Sequence, residues 1–377
     1  MDHKEIIIIG GGLGGLTAAH RLAKAGRQVL LVEKKSYPFH RVCGEYISNE
    51  VRGYLIEEGL FPEYFHPTEI RNFELGSIKG KIAKMPLDLG GFGISRYVLD
   101  DFIYKKCQKV GVEFFLETEA EEINYYPERE EFEVRLNDGQ TVTAHHVIGA
   151  FGKRSKIDRK LKRNFMDHRS PFIGVKYHIR TDFDPHTVAL YNFEGGYCGI
   201  NRIEQKKYNL CYLGNASHLK KYGNIAAMEE NVIFQNPQLK SIFQNSEFLF
   251  DKPEVINEIS FRPKPLIENH ILMIGDAAGL ITPLCGNGMA MAIHSGKILA
   301  DCILQHKNRQ DLEKAYFQEW TKYFKNRLWV GRKVQWLFGS SIFSELSVSL
   351  IKNSTFLATQ IMKRTHGSPI HDKSYST

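Results

Sequence analysis

The chain has 377 residues, of which 42% are hydrophobic and 25% are charged, with a formal net charge of +7 at pH 7. This composition excludes a disordered chain and suffices for a large buried core divided into two or three lobes. The charge is modest and accompanies no nucleic-acid-binding motif, so no nucleic-acid partner is expected. The first residues, MDHKE, run directly into an apolar strand without a signal-peptide pattern, and we expect a cytoplasmic protein.

The opening segment has the pattern of a dinucleotide-binding fold. Residues 6–9 form an apolar strand, the GxGxxG sequence of residues 10–15 turns into a helix, and residues 29–33 form a second strand. The glycines let the backbone approach a pyrophosphate, which the N–H groups and dipole of the helix N-terminus attract. The acid that ends the second strand can accept hydrogen bonds from ribose hydroxyls, which argues against a 2′-phosphate. The predicted cofactor-binding residues of this segment are Gly10, Gly12, Leu13, Gly14, Gly15, Glu33 and Lys34.

Helices and strands alternate over the next part of the chain. Helices are predicted near residues 49–58 and over residues 95–110, where apolar side chains recur at helical spacing. A strand at residues 112–116 follows. A hairpin over residues 132–148 is predicted to turn at the Asn-Asp-Gly sequence of residues 137–139.

The pattern changes between residues 172 and 262, where apolar and polar residues alternate as in an antiparallel sheet. We interpret this stretch as a substrate lobe inserted into the nucleotide-binding lobe. The chain then returns with an apolar strand that ends in Gly275 and Asp276, about 260 residues beyond the glycine-rich turn. Because a second contact so far along the chain suits a long cofactor, we predict FAD rather than NAD.

The predicted fold class is therefore α/β, with a Rossmann-type FAD-binding domain, an inserted antiparallel β-sheet substrate domain and a C-terminal helical segment. The FAD-binding domain is discontinuous and comprises residues 1–70, 95–165 and 263–310. The substrate domain comprises residues 71–94 and 166–262, and the C-terminal helical region comprises residues 311–377.

The cysteines show neither a CxxC pair nor a His/Cys grouping at metal-ligand spacing. Free thiols and no metal site are therefore expected. The six positions are Cys43, Cys107, Cys198, Cys211, Cys285 and Cys302.

Five segments in consistent order resemble the glutathione-reductase-type flavoproteins, in the branch that holds p-hydroxybenzoate hydroxylase, geranylgeranyl reductase and electron-transfer-flavoprotein dehydrogenases. They span roughly residues 5–305 and read GGGLGGLTAA, RVCGEYIS, ISRYVLDDF, VIGAFGKRS and ILMIGDAAG. The RVCGE sequence is most similar to the reductase and dehydrogenase side of this branch.

The resemblance implies roles for individual residues. Asp276 would hydrogen-bond the ribityl chain of FAD, and Arg41 and Arg96 would lie close to the cofactor. The backbone near Ala120 would touch the adenine, and the turn of residues 283–289 would bring a helix N-terminus toward the flavin. The implied cofactor-binding residues are Arg41, Cys43, Arg96, Ala120, Gly275, Asp276, Gly286, Asn287, Gly288 and Met289.

The sequence also departs from these relatives. The hydroxylases carry an Asp-Gly pair where this chain has Phe151 and Gly152, so NADPH use in the manner of the hydroxylases is not expected. The reductases show YxWxFP, of which only Tyr197 remains, with Gly199 at the tryptophan position. The WxWxIP motif of flavin halogenases is absent, so halogenation is not expected.

The resemblance implies an FAD-dependent oxidoreductase that acts on a hydrophobic small molecule, such as an isoprenoid, a lipid or a polyketide-like compound. The main expectation is reduction or formation of a C=C bond, with NADPH or NADH as a candidate electron donor and Cys43 and Tyr197 as candidate catalytic proton donors. A monooxygenase of an aromatic or polyketide substrate is one alternative. An electron-transfer flavoprotein module is an alternative from another class.

Two surface features bear on partners. The basic run of residues 153–169 is read first as a solvated face, and as a hypothesis it docks an acidic acyl-carrier protein or the diphosphate of a prenyl substrate. A redox partner protein is a further candidate partner. The segment of residues 332–352 places apolar residues between basic ends but is too interrupted to span a membrane. It is read as a helix that caps the substrate lobe, with peripheral membrane contact as the alternative.

Overall fold

The computed structural model describes residues 2–168, 170–257, 259–280, 286–335, 341–353 and 367–370. Its strands in these residues are β1 (Asp2–Ile9), β2 (Val29–Glu33), β3 (Tyr46–Ser48), β4 (Thr68–Gly76), β5 (Ile82–Gly93), β6 (Glu113–Leu116), β7 (Ala120–Tyr126), β8 (Glu131–Leu136), β9 (Thr141–Gly149), β10 (Phe172–Arg180), β11 (Thr187–Phe193), β12 (Gly196–Arg202), β13 (Tyr208–Asn215), β14 (Glu247–Phe248), β15 (Glu254–Asn257), β16 (Ile267–Glu268) and β17 (Ile271–Met273). Its helices there are α1 (Leu13–Lys24), α2 (Arg52–Glu57), α3 (Arg96–Lys109), α4 (Lys156–Lys160), α5 (Ala216–Tyr222), α6 (Ile225–Asn231), α7 (Pro237–Gln244), α8 (Gly288–Gln305), α9 (Arg309–Gln335) and α10 (Ser341–Asn353).

The first sheet has the strand order β16-β17-β9-β1-β2-β6, and the β7–β8 hairpin joins it through β9. Strands β17, β9, β1, β2 and β6 run parallel. The centre of this sheet is almost wholly apolar, because residues 6–9 of β1 and 29–32 of β2 are buried on both faces. The carboxyl ends of β1, β2, β9 and β17 therefore meet at one edge, as the Rossmann-type prediction requires.

The second sheet has the order β14-β10-β13-β12-β11-β4-β5-β3, with β15 paired to β10. Neighbouring strands are antiparallel except β4 and β11, which pair in parallel. Strand β3 lies within the predicted FAD-binding segment 1–70 but pairs with β5 of this second sheet. The chain thus enters the second sheet from both sides of α3, and the predicted α/β fold with two sheets is confirmed.

Helices cover the sheets on their apolar faces. Helix α1 crosses α8 so closely that a Cβ atom at Gly296 would lie 2.5 Å from the carbonyl oxygen of Gly14. Helix α3 begins after Ser95, whose side chain accepts a hydrogen bond from the N–H of Val98. Helices α6 and α7 pack on the outer face of the second sheet, and α10 contacts β4 and β5. The described part of the chain contains no helix long and apolar enough to cross a membrane.

Candidate functional site

The turn after β1 presents a cradle for an anion. Gly10 has a φ of 109° and lies so close to β9 that a Cβ atom there would be 2.3 Å from the Ala150 oxygen. Gly12 is the N-cap of α1, and Leu13, Gly14 and Gly15 form its first turn. Within the described residues no side chain caps this helix and its first turn has no acid. The N–H groups and the positive dipole end thus suit a pyrophosphate.

Glu33 lies at the end of β2 beside this turn and is 5% exposed. Its carboxylate accepts hydrogen bonds from the Gly11 N–H at 2.8 Å and from the Arg41 guanidinium at 3.1 Å. Lys34, the next residue, is exposed.

Ala120 is buried at the start of β7. The backbone just before it reaches β2, because the Thr118 N–H donates to the Glu33 carbonyl oxygen.

Two arginines converge on one buried carboxylate above the turn. Asp100 of α3 is 1% exposed and accepts two hydrogen bonds from Arg96 at 2.6 Å and one from Arg41 at 3.2 Å. Arg41 also donates to the Gly11 carbonyl oxygen. Burial lowers the pKa of Arg96, but the Asp100 carboxylate outweighs it and the net shift is upward. Asp100 was missed from the sequence, although its i,i+4 spacing to Arg96 was a usable signal.

The second segment that is predicted to bind the cofactor follows β17. This segment and the glycine-rich turn after β1 are hereafter called the two grips. Gly275 has a φ of 57°, and its N–H donates to the Ser295 hydroxyl at 2.9 Å. Asp276 is half-buried, and its carbonyl oxygen accepts a hydrogen bond from Lys264 at 2.8 Å. Burial lowers the pKa of Lys264 to about 8. Gly275, Asp276, Gly288 and Ser295 line a cavity of about 10 Å³ between this turn and α8.

A buried arginine, Arg163, contacts the backbone of the turn after β17. Arg163 pairs with Asp158 at 2.7 Å and donates to the carbonyl oxygens of Ala277 and Pro265. Arg163 belongs to the basic run of residues 153–169, for which the sequence predicts a solvated face, but its side chain is fully buried. Lys160 and Lys162 of that run are exposed, so the run combines surface charge with an internal support.

The start of α8 lies next to these residues. Gly286 has a φ of 62°, Asn287 is the buried N-cap, and Gly288 and Met289 open the helix. The Asn287 side chain donates to Glu50 at 3.3 Å. The other part of the predicted turn, residues 283–285, lies outside the described residues.

The two grips are in contact although they are far apart in sequence. A Cβ atom at Gly14 would lie 3.1 Å from the Ala292 carbonyl oxygen and 3.6 Å from the Ile274 side chain. The residues of the glycine-rich turn, the turn after β17 and the start of α8 therefore share one edge of the first sheet. Two helix starts that no described side chain caps, the Glu33 carboxylate and two nearby arginines are groups that fit the two ends of a dinucleotide.

The loop of residues 41–45, hereafter the RVCGE loop, joins the two sheets. Glu45 at its end is fully buried, forms an ion pair with Lys176 at 2.5 Å and accepts a hydrogen bond from the His178 Nε2 at 2.7 Å, both from β10. Burial by itself would raise the pKa of Glu45, but Lys176 and His178 together lower it to about 2. Asn201 and Asn209 donate to the carbonyl oxygens of Glu45 and Gly44. The second sheet thus holds this loop with side chains.

These holding residues were missed from the sequence. Lys176 and His178 are charged or polar positions two apart in the otherwise apolar strand β10, which places them on the same face of the sheet. Two polar residues at this spacing could have indicated a polar site on the sheet. The same period-2 alternation is, however, also typical of a strand face that is exposed to solvent. The structure shows instead that both side chains are buried.

The two candidate catalytic residues lie in different parts of the protein, Cys43 in the RVCGE loop and Tyr197 on the second sheet. Cys43 is half-buried and packs against the core of the first lobe. Tyr197 is buried on β12 in an apolar cluster. It precedes Asn201, which contacts the RVCGE loop, by four residues, a rise of about 13 Å along a strand. The buried members of the apolar cluster are Leu75, Ala83, Leu190, Tyr197, Leu213, Ile259, Leu280 and Val348.

No group of histidine, cysteine or acidic residues in the described parts of the chain could hold a metal ion. The five cysteines that the structure describes are free thiols. They are Cys43, Cys107, Cys198, Cys211 and Cys302.

Comparisons with known proteins agree with this geometry. A family model described as an FAD binding domain matches residues 3–322. Conditioned medium factor receptor 1 of Dictyostelium discoideum is 24% identical, over 94% of this chain and 75% of its own length. Menaquinone reductase of Mycobacterium tuberculosis is 23% identical, over 80% and 77% of the two chains. Digeranylgeranylglycerophospholipid reductase of Thermoplasma volcanium is 25% identical, over 87% and 84%.

Solved structures share the fold. The flavin-dependent brominase Bmp2 superposes with a TM-score of 0.78 at 19% identity, over 96% of this chain and 93% of its own. A geranylgeranyl bacteriochlorophyll reductase-like protein of Thermoplasma acidophilum gives 0.77 at 19% identity, over 97% and 96%. PqsL of Pseudomonas aeruginosa, described as a probable FAD-dependent monooxygenase, gives 0.73 at 17% identity, over 91% and 99%. The resemblance to FAD-dependent flavoproteins and the prediction of FAD are thereby confirmed.

Proposed function

Because the chain belongs to the FAD-binding domain family and is an FAD-dependent oxidoreductase, we propose that it reduces or forms a C=C bond in a hydrophobic small molecule, an isoprenoid or a lipid. The observation that carries this proposal is the inner face of the second sheet. This inner face is the one that carries Lys176, His178 and Tyr197. At one end of the face buried polar side chains hold the RVCGE loop, and at the other end lies the apolar cluster around Tyr197. Such a face suits a long apolar substrate whose reacting end lies at the loop.

Two relatives support the substrate class. The names of the menaquinone reductase and of the digeranylgeranylglycerophospholipid reductase both denote reductases of hydrophobic molecules. The departure at Gly199 reshapes the same face, because a Cβ atom there would meet the Leu190 side chain at 3.2 Å. This chain's substrate therefore need not be the one that either relative uses.

The residues that would hold FAD are those of the two grips. The start of α1 would bind the pyrophosphate, Glu33 a ribose, and Arg41 and Arg96 would add positive charge near the phosphates. The start of α8 would stabilise negative charge by its dipole. When bound, FAD supplies the hydride chemistry of the reaction.

Reduction of a C=C bond needs a proton at the carbon that does not receive the hydride. The Cys43 thiol and the Tyr197 hydroxyl are the candidate donors. Cys43 is favoured because its loop also carries Arg41, which contacts the glycine-rich turn. The apolar cluster would exclude water and orient the substrate chain.

The test is anaerobic turnover of the FAD-loaded protein with NADPH, NADH or dithionite as reductant and a geranylgeranyl lipid or menaquinone as substrate. Products analysed by mass spectrometry in D2O should gain two hydrogens per reduced bond, with at least one deuterium from solvent. Hydrogenated product with any one of these reductants supports the proposal. Its absence with all of these combinations, on protein that retains yellow FAD, contradicts the proposal.

A parallel incubation of the same protein, reductants and substrates under 18O2 separates the alternatives. A monooxygenase would require oxygen and would place one atom of 18O2 in the product. An electron-transfer module would show reduction of its FAD by a protein donor without any product from the small molecules. Either outcome would replace the proposed reaction.

We infer further that the protein works in the cytoplasm and contacts the membrane surface at its periphery. Leu346 and Leu350 lie one helical turn apart on α10 and are 56% and 45% exposed, while the helix contacts β4 and β5. The segment of residues 336–340 before this helix lies outside the described residues. An exposed leucine pair beside the substrate lobe supports entry of a lipid substrate from a bilayer.

A further inference from the structure

We propose that the buried ion cluster of Glu45, Lys176 and His178 is a positioning device that fixes the RVCGE loop between the cofactor turn and the substrate face. The part of this proposal that concerns catalysis rests on the proposed function, because it assumes that Cys43 faces a substrate. The part that concerns the loop does not. Lys176, His178 and Glu45 are at most 3% exposed at their side chains.

Stability alone does not account for this cluster. Moving charges out of water costs several kcal/mol per ion, and well-packed apolar residues of similar size often stabilise a fold as well or better. Glu45 also has a φ of 53°, in the left-handed region that non-glycine residues seldom adopt. Such a conformation persists only where the surroundings determine it, and it is concentrated at functional sites.

The cluster determines the loop at several atoms. Lys176 donates to the Arg41 carbonyl oxygen at 3.1 Å as well as to Glu45. Asn209 donates to the Gly44 carbonyl oxygen at 2.9 Å. Backbone on both sides of Cys43 is therefore held by strands of the second sheet.

The same carboxylate reaches the first lobe. Glu45 accepts a hydrogen bond from the backbone N–H of Arg96 at 2.8 Å, and Arg96 pairs with Asp100. Asp100 in turn pairs with Arg41, the first residue of the loop. The loop, the start of α3 and β10 are thus joined in one closed network, which sets where Cys43 and Arg41 lie.

The opposite face of the same strands provides a matched control. Glu229 of α6 is buried and accepts hydrogen bonds from the hydroxyls of Tyr177 at 2.9 Å and Tyr212 at 2.8 Å. Tyr177 lies between Lys176 and His178 on β10, so its side chain points to the other face of the sheet. Glu229→Gln therefore perturbs a buried carboxylate in the same strands without touching the RVCGE loop.

The test compares His178→Leu, which removes one of the three donors to the Glu45 carboxylate, with His178→Gln, which can keep an N–H near the same position. The readout is the rate at which iodoacetamide alkylates Cys43 in the FAD-loaded protein, followed by peptide mass spectrometry. We expect His178→Leu to raise this rate at least about tenfold, a shift of about 1.4 kcal/mol in loop opening. His178→Gln and Glu229→Gln should stay within about twofold of the wild type.

Wild-type alkylation rates in His178→Leu, with a melting temperature lowered as much as in Glu229→Gln, would overturn the proposal and leave the cluster a structural feature only. If His178→Leu does not fold, the double variant Glu45→Gln with Lys176→Met removes the ion pair as neutral side chains of similar size. The same rise in Cys43 alkylation is expected there, and an unchanged rate again overturns the proposal. Because alkylation needs no substrate, failure of the proposed reaction would leave this result intact.

Discussion

The two sheets of this protein differ in where their candidate functional residues lie. In the first sheet these residues follow the ends of the strands, and in the second sheet they lie on one face. In the first sheet the strands are apolar on both faces, and the candidate site is built at their carboxyl ends from glycine-rich turns and helix N-termini. In the second sheet the strand ends are unremarkable, and the inner face carries Lys176, His178, Asn201 and Asn209. The candidate cofactor site is therefore built mainly from backbone groups, whereas the RVCGE loop is held by side chains.

This contrast predicts how each region responds to substitution. Changes at the strand ends of the first sheet should weaken cofactor binding while the fold persists, provided that the position has room for a side chain, as Gly12 has. Changes on the inner face of the second sheet should leave the cofactor bound but alter stability, loop position or turnover. The following predictions are ordered from the largest expected effect to the smallest.

Gly12→Asp should lower the affinity for FAD at least about 100-fold, about 2.7 kcal/mol. Gly12 has a φ of −82°, and a Cβ atom there would meet only the Arg96 side chain, at 3.8 Å, so the fold accommodates the change. Aspartate is a good N-cap, but its charge repels the pyrophosphate from the start of α1. FAD titration followed by fluorescence quenching measures the affinity, and the melting temperature of the apoprotein should not fall. FAD affinity within tenfold of the wild type would contradict the assignment of this turn.

Cys43→Ala should lower kcat for C=C reduction by about 100-fold, the usual contribution of a general acid. Tyr197→Phe should lower it by less than about tenfold, because Tyr197 lies farther from the RVCGE loop. FAD content should be unchanged in both variants. Steady-state rates normalised to bound FAD check this order, and a larger loss in Tyr197→Phe would assign the proton donor to the apolar end of the face.

Lys176→Met should destabilise the fold by about 3 kcal/mol at pH 7, because the fully buried Glu45 carboxylate loses its lysine partner and keeps only His178 and the Arg96 N–H. In the wild type the pKa of Glu45 is about 2, below its ordinary value of 4.5, so its stabilising contribution is present above pH 4.5 and is lost toward pH 2. Without Lys176 burial raises that pKa, and stability falls as the pH rises above 4.5.

The difference in melting temperature between wild type and Lys176→Met should therefore widen from pH 4 to pH 7. The double variant Glu45→Gln with Lys176→Met is the control, and its difference from wild type should change less over this range. A constant difference for Lys176→Met would show that Glu45 is not the group that titrates.

Leu346→Glu with Leu350→Glu should have the smallest effect on the isolated protein. Both side chains are largely exposed, so the melting temperature should change by less than that of Lys176→Met. Sedimentation with anionic vesicles at low salt should drop several-fold. Equal sedimentation of the variant and the wild type would place membrane contact elsewhere or exclude it.

The sequence alone predicted the first region in detail. The spacing of Gly10, Gly12 and Gly15, the acid at position 33 and the GDAAG turn each follow from local chemistry that a short segment carries by itself. It also predicted α3, the β8–β9 hairpin and an alternating second sheet. It did not predict that β3 belongs to that sheet, or that β4 pairs in parallel with β11, because strand pairing depends on distant segments.

The sequence by itself determined the FAD-dependent class of the protein and predicted two cofactor-binding segments far apart along the chain, because turn geometry and helix N-termini are local properties of the backbone. Only the tertiary structure decided what holds the RVCGE loop. Glu45 precedes Lys176 and His178 by more than a hundred residues along the chain, and they become partners because the second sheet packs against the first lobe. Burial strengthens the interactions of the Glu45 carboxylate with Lys176 and His178, because electrostatic attraction is strong only where water is excluded.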